Sequence, residues 1–337
     1  MGSRSTPASA LEDPQHGKGG HVMDDQRFAE IARAAFGKGR RPAGVERLRG
    51  GSKKGVYRLS FDDGRPGAIV YVWSQEEDFW PAAADADPET PFGHASGLRF
   101  FEAAHSRLSG LGVRVPEVYL VDRPGDVAVI EDVRGGTLEA LLRDDPTRAG
   151  RVMDRLAASL EAMGRERAPW VGKIEGIRRP SAVEVVLEQA LRDLDEAAVR
   201  VERIGAVRED FEGALREMAA GVRPRPDYGL IHGELGPDHV LVDDHDVPVL
   251  IDLEGTMFFD AEWEHVFLRI RFHEHYERLR VDGLDEDRMR LYELAQHLSL
   301  TAGPLRLLDG DFPEREFMLG ISKFHSGEAL EFLAKRR

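Results

Sequence analysis

The sequence predicts an α+β fold in two lobes, a small and mostly antiparallel β-sheet lobe followed by a larger, mainly helical one. Three observations carry that expectation. Short apolar runs bounded by turn residues fill positions 45 to 130, the pattern of packed strands joined by hairpins. Beyond Glu131–Gly136 the apolar spacing lengthens to the helical period. Within that helical part, residues 229–255 return to short β segments around a dense polar motif.

The elements follow in order. Residues 1–22 are rich in Gly, Ser, Pro and charge and contain no apolar segment, so a flexible tail without a secretory leader is expected. Asp25–Phe36 places Phe28, Ile31, Ala32, Ala35 and Phe36 at helical spacing. Val45–Leu48, Val56–Phe61, Ala68–Trp73, Val115–Leu120 and Val127–Ile130 are the five expected strands, with turns at Asp62-Asp63-Gly64 and Pro124-Gly125. The third strand is apolar throughout, which fits cover on both faces. Residues 81–93 suggest a loop and 95–109 a helix. Thr137, with Glu139 and Ala140, opens a helix. Further helices are expected near 148–164, 182–201 and 208–221, and 261–337 is mainly helical. The expected lobes are 23–132 and 133–337, with a hinge at 132–136.

Composition narrows the function. Lys and Arg total 46 against 61 Asp and Glu, a formal net charge of −15. That balance offers no basic face for nucleic acid or for an anionic membrane surface, and it suits a cationic small partner. With no cysteine, disulfides, thiolate metal sites and cysteine nucleophiles are excluded, in keeping with a cytoplasmic location. No run approaches the roughly 20 apolar residues of a spanning helix. No strong dimer seam is visible, so the oligomeric state stays open.

The chemistry is concentrated in Leu230-Ile231-His232-Gly233-Glu234-Leu235-Gly236-Pro237-Asp238-His239-Val240-Leu241-Val242, followed by Val249-Leu250-Ile251-Asp252-Leu253-Glu254. A hairpin between the two segments brings two acidic positions and a polar ligand together. Phosphoryl transfer needs such a set: one carboxylate to orient or deprotonate a hydroxyl, a second with a neutral ligand to hold Mg²⁺ against phosphates.

These segments resemble the catalytic loop of the aminoglycoside phosphotransferase and choline kinase family, a branch of the protein-kinase-like fold. Its pattern is His-Gly-Asp, four residues, Asn, then a hairpin ending Ile-Asp. The resemblance runs in order from about 45 to 264. It implies a bilobal kinase-like fold and transfer of phosphate from ATP, with Mg²⁺, to a hydroxylated small molecule; an antibiotic is one candidate acceptor. It makes Glu234 the catalytic base, His232 the histidine bracing the loop, and Asp252 and His239 the metal ligands. Gly51, Ser52, Lys53 and Lys54 form the phosphate loop, and the backbone of Glu131 to Val133 is the adenine hinge. Phe259-Asp260-Ala261-Glu262-Trp263-Glu264 resembles the segment that buttresses the loop.

The chain departs from the family at three positions: Tyr71 stands where the third strand carries a lysine, Glu234 replaces the catalytic Asp, and His239 replaces the Asn. Glu102 is the one candidate on the 95–109 helix for the glutamate that orients the strand lysine. Lys53 or Lys54 is therefore expected to reach the β- and γ-phosphates. The alternative is a kinase-like binding protein with impaired catalysis. A metal-dependent hydrolase would need a compact His/Asp cluster, which the chain does not offer.

Overall fold

Strand periodicity decides what each face of the first lobe touches. The computed structural model describes residues 25–49, 51–80, 92 and 97–336; the tail expected at 1–22 and most of the loop expected at 81–93 lie outside the described residues. Helix α1 (Asp25–Phe36) is followed by β1 (Pro42–Arg47), β2 (Gly55–Phe61), β3 (Ala68–Val72), α2 (Leu98–Gly110), β4 (Val118–Asp122) and β5 (Val127–Glu131). The strands form one antiparallel sheet in the order β1-β2-β3-β5-β4. Alternate side chains point to opposite faces. Tyr57, Leu59, Val70, Val72, Val127 and Val129 pack on Phe28, Ile31 and Ala32 of α1. Tyr71, Trp73, Ala128 and Ile130 join Leu98, Phe101, Ala104 and Leu108 of α2 in a core continuous with the helical part. The third strand is thus covered on both sides, as its composition predicts.

Strand β4 starts at Val118, three residues later than expected. Pro116 has no N–H to donate to a ladder, and Val113 and Val115 are buried without strand pairing.

After β5 the chain passes through 132–136 to α3 (Leu138–Asp144), where Thr137 Oγ1 accepts from Ala140 N at 3.1 Å and caps the helix as expected. At the hinge, a Cβ on Gly135 would overlap the Val242 carbonyl, so only glycine permits this approach. Val242 N donates to Gly136 O at 2.9 Å and stitches the hinge to the hairpin below.

The second lobe contains α4 (Pro146–Arg165), β6 (Arg167–Ala168), β7 (Gly172–Lys173), α5 (Ala182–Arg200), α6 (Glu202–Gly205), α7 (Arg208–Gly221), β8 (Tyr228–Ile231), β9 (Val240–Val242), β10 (Pro248–Leu250), β11 (Met257–Phe259), α8 (Ala261–Phe272), α9 (Glu286–Leu307) and α10 (Arg315–Arg336). The helices expected at 148–164, 182–201 and 208–221 are α4, α5 and α7. Strands β9 and β10 form the antiparallel hairpin between the two halves of the polar motif, while β6-β8-β11-β7 make a second small sheet. Among the described residues no helix is long and apolar enough to cross a membrane.

Candidate active site

The polar loop begins where β8 ends. Gly233 takes φ +93°, and a Cβ there would meet Gly255 O at 2.8 Å; the loop can turn over the 253–255 turn because this residue has no side chain. His232 is fully buried and donates through Nε2 to Ile251 O at 2.9 Å, since a carbonyl can only accept. Burial, helped by the neighbouring His239, pushes its pKa down to about 4, so the ring stays neutral and ties the loop to Ile251.

From α8, Glu264 Oε2 accepts the Gly233 N–H at 2.8 Å. Burial pushes this carboxyl up to about 7, against the pull of the Gly233 and His232 amides. The neighbouring acids fasten other elements. Asp260, fully buried, takes Arg288 at 2.6 Å, Arg225 at 3.0 Å and the Tyr292 hydroxyl. Glu262 takes both Arg225 nitrogens at 2.9 Å and the Asp285 N–H. The expected buttress is therefore present, with Glu264 as the member that touches the loop.

Glu234 lies exposed beyond this anchor. Its carbonyl accepts from His239 Nδ1 at 2.8 Å. In the neutral ring that leaves Nε2 as an acceptor, and it lies 3.8 Å from Asp252 Oδ2. Two acceptors so close, one of them a carboxylate, suit a shared cation. Asp252 itself has φ 60° and ψ 50°, a left-handed conformation that costs a non-glycine residue about 1–3 kcal/mol and clusters at functional sites. Among the described residues no three His, Asp, Glu or Cys side chains converge as a complete metal cage.

Of the two loop lysines, Lys54 is the one that meets the carboxylates after β10. Its Nζ sits 2.7 Å from Asp252 Oδ1 and 2.6 Å from Glu254 Oε1, with the residue only 6% exposed. Burial opposes the charge, but Asp252 and then Glu254 hold the ammonium well above its ordinary pKa. For Asp252, burial is likewise outweighed by Lys54, and the carboxyl stays far below its usual range. Lys53 lies 5.6 Å from the Trp80 ring centre. Gly51 has φ +80° at the start of this loop. Ser52 is tied to the following segment, its hydroxyl accepting from Trp80 Nε1 at 2.9 Å and its carbonyl from Phe79 N at 2.9 Å.

At the hinge, Glu131 N donates to Glu117 O at 2.8 Å, and the Glu131 carboxylate holds Arg114 at 2.6 Å. Val133 is 8% exposed. Glu102 does not enter the cleft; it pairs with Arg123 at 2.7 Å on the surface.

Two residues near the loop were given no role by the sequence, Glu254 at the end of the quoted motif and Lys173 outside it. Glu254 lies two residues past Asp252 and accepts from Trp73 Nε1 at 3.1 Å. Lys173 sits on β7, paired through Met257 to Ile231 across the second sheet, next to the loop. Burial and the charge of Lys53 bring it down to about 7, against the attraction of Glu234 and Glu254. The signal was there: a lone charge in the otherwise apolar run Trp170-Val171-Gly172-Lys173-Ile174.

A sheet lobe over a helical lobe, with this loop, carboxylate and lysine at their junction, defines a bilobal protein-kinase-like fold of the type found in small-molecule phosphotransferases. Solved structures share it. The choline kinase LicA from Streptococcus pneumoniae aligns with TM-score 0.63 and 16% identity, covering 92% of this chain and 99% of that one. Aminoglycoside phosphotransferase APH(4)-Ia aligns with TM-score 0.61 and 16% identity, covering 91% and 97%. The sequence matches the model of the phosphotransferase enzyme family (APH) over residues 44–300, and the chain belongs to that family. No curated protein matches it.

Proposed function

We propose that this chain is an ATP-dependent O-phosphotransferase that acts, with Mg²⁺, on a hydroxyl of a small molecule. The observation that carries the reading is the meeting of Lys54, Asp252 and His239 at one junction, with His239 held on the Glu234 carbonyl. Glu234, exposed at the loop, would orient the acceptor hydroxyl and take its proton. Lys54 would hold the β- and γ-phosphates as a buried, permanently charged donor. Asp252 and His239 Nε2 are the side chains to hold Mg²⁺, which when bound neutralises charge on the transferring phosphate. At the hinge, the Glu131 amide is already engaged, so purine contact at that residue would fall to its carbonyl.

Family membership supports the reaction class. Nucleotide use is supported by the structures of LicA with AMP and of APH(4)-Ia with AMP-PNP and hygromycin B. One relative is a choline kinase and the other an aminoglycoside phosphotransferase seen with hygromycin B, and a net charge of −15 suits a cationic acceptor.

The test is ADP release over a panel of hydroxylated acceptors that includes hygromycin B and choline. Glu234→Gln should lower kcat by about 10²- to 10⁴-fold while ATP still shifts the melting temperature. Full turnover in that variant would remove Glu234 as the base. The second reading, nucleotide binding without turnover, is favoured by the longer acid at 234 and the histidine at 239. It would be upheld by an ATP-dependent thermal shift with no ADP release on any acceptor.

A further inference from the structure

We infer that Glu254, oriented by Trp73, is the positioning residue that keeps Lys54 aimed into the cleft; this deepens the phosphotransferase reading and rests on it. The argument starts at Tyr71, which occupies the strand position where related chains carry lysine. Its ring is 6% exposed and meets Phe101 of α2 edge-on, 5.7 Å between centres at 89°. Among the described residues no charge pair spans β3 and α2. The Lys54 ammonium instead lies 4.9 Å from the Tyr71 ring centre, so the positive charge has arrived at the same place from the head of β2.

Two carboxylates share that ammonium, and they are not equivalent. The Asp252 side chain is 40% exposed and faces His239 Nε2, whereas the Glu254 side chain is 9% exposed. Glu254 Oε1 also accepts from Trp73 Nε1, which fixes its direction from the strand side. Asp252 is the side chain open to the cleft and available to a cation. Once it is drawn away, Glu254 is the anchor that remains. A buried ammonium deprived of both acids would be strongly disfavoured, so Glu254 determines where Lys54 stays.

A bland alternative exists: the pair only stabilises the fold. Binding of ATP and of adenosine, measured by titration calorimetry, separates the two, because adenosine makes no phosphate contact. Wild type should prefer ATP over adenosine. Lys54→Met and Glu254→Gln should each lose about 10- to 100-fold of ATP affinity, the range for a hydrogen bond to a charged group, with adenosine affinity unchanged. The double variant should be no weaker than Lys54→Met alone. Should Glu254→Gln fail to fold, Trp73→Phe removes only the indole donor and should erode the same preference, more mildly.

A Lys54→Met loss with an undiminished ATP preference in Glu254→Gln, or in Trp73→Phe where that variant stands in, overturns the inference and leaves the phosphotransferase reading intact. Equal loss of ATP and adenosine also overturns it, in favour of the purely structural role. Wild type that binds no ATP overturns both.

Discussion

At the scale of single residues, charge placement in the cleft makes a titration prediction. Lys173 has a folded pKa of about 7 against 10.5 for an ordinary lysine. Below pH 7 it is charged in both the folded and the unfolded state, and the folded state bears the cost of burying it. Between pH 7 and 10.5 the folded lysine loses its proton while the unfolded one keeps it, so stability from this group rises with pH. Lys173→Met should therefore gain most over wild type near pH 6, and the gain should shrink toward pH 10 in urea titrations. A pH-independent difference would count against the shift. The sequence left Lys53 and Lys54 equivalent, and strand parity separates them only once the faces of β2 are known. Tyr57 and Leu59 face α1, so Lys54, in step with Val56, belongs to the opposite face, where Val56 pairs with Tyr71. The role of Glu254 was not legible, because its partner Trp73 lies far away in sequence and only the fold brings them together.

At the scale of elements, the acids that follow β11 act as fasteners. Asp260 is fully buried against Arg288 of α9, itself 2% exposed. Asp260→Ala leaves that guanidinium with Asp285, 4.0 Å away, as its remaining acid and should cost about 3–5 kcal/mol, measured by chemical denaturation; a change under about 1 kcal/mol would show that Arg288 does not depend on Asp260 for its burial. The long helices were legible because their apolar period extends over several turns. Strands β6 and β7 have two residues each, too few to show any period, and the late start of β4 follows from a proline whose effect depends on ladder geometry. The loop itself was legible as a motif. The register that places it over Ile251 and Gly255 depends on contacts between segments about twenty residues apart.

At the scale of the whole molecule, buried imidazoles set the acid limit. His232, His265 and His297 titrate near 4 and His325 near 3, each lowered first by burial from 6.5. A base lowered in the folded state binds fewer protons there, so stability falls as pH drops from 6.5 toward 4, by on the order of 2–3 kcal/mol for each group. Glu264, raised to about 7 from 4.5, works in the opposite direction over nearly the same window and offsets one of the four. The urea midpoint should therefore fall steeply between pH 6.5 and 4; a flat profile across that range would show that these rings are not neutral and buried as a set. The ring contact between Tyr71 and Phe101 has a wider mechanical consequence. A helix tethered by opposite charges loosens as ionic strength rises, and a modification that adds or removes charge can release it. Here α2 leans on β3 through aromatic edges and faces, which electrolyte does not screen. The β3 contact is therefore indifferent to electrolyte, and only the rim pairs of the helix, Glu102 with Arg123 and Arg107 with Glu166, both at 2.7 Å, respond to it.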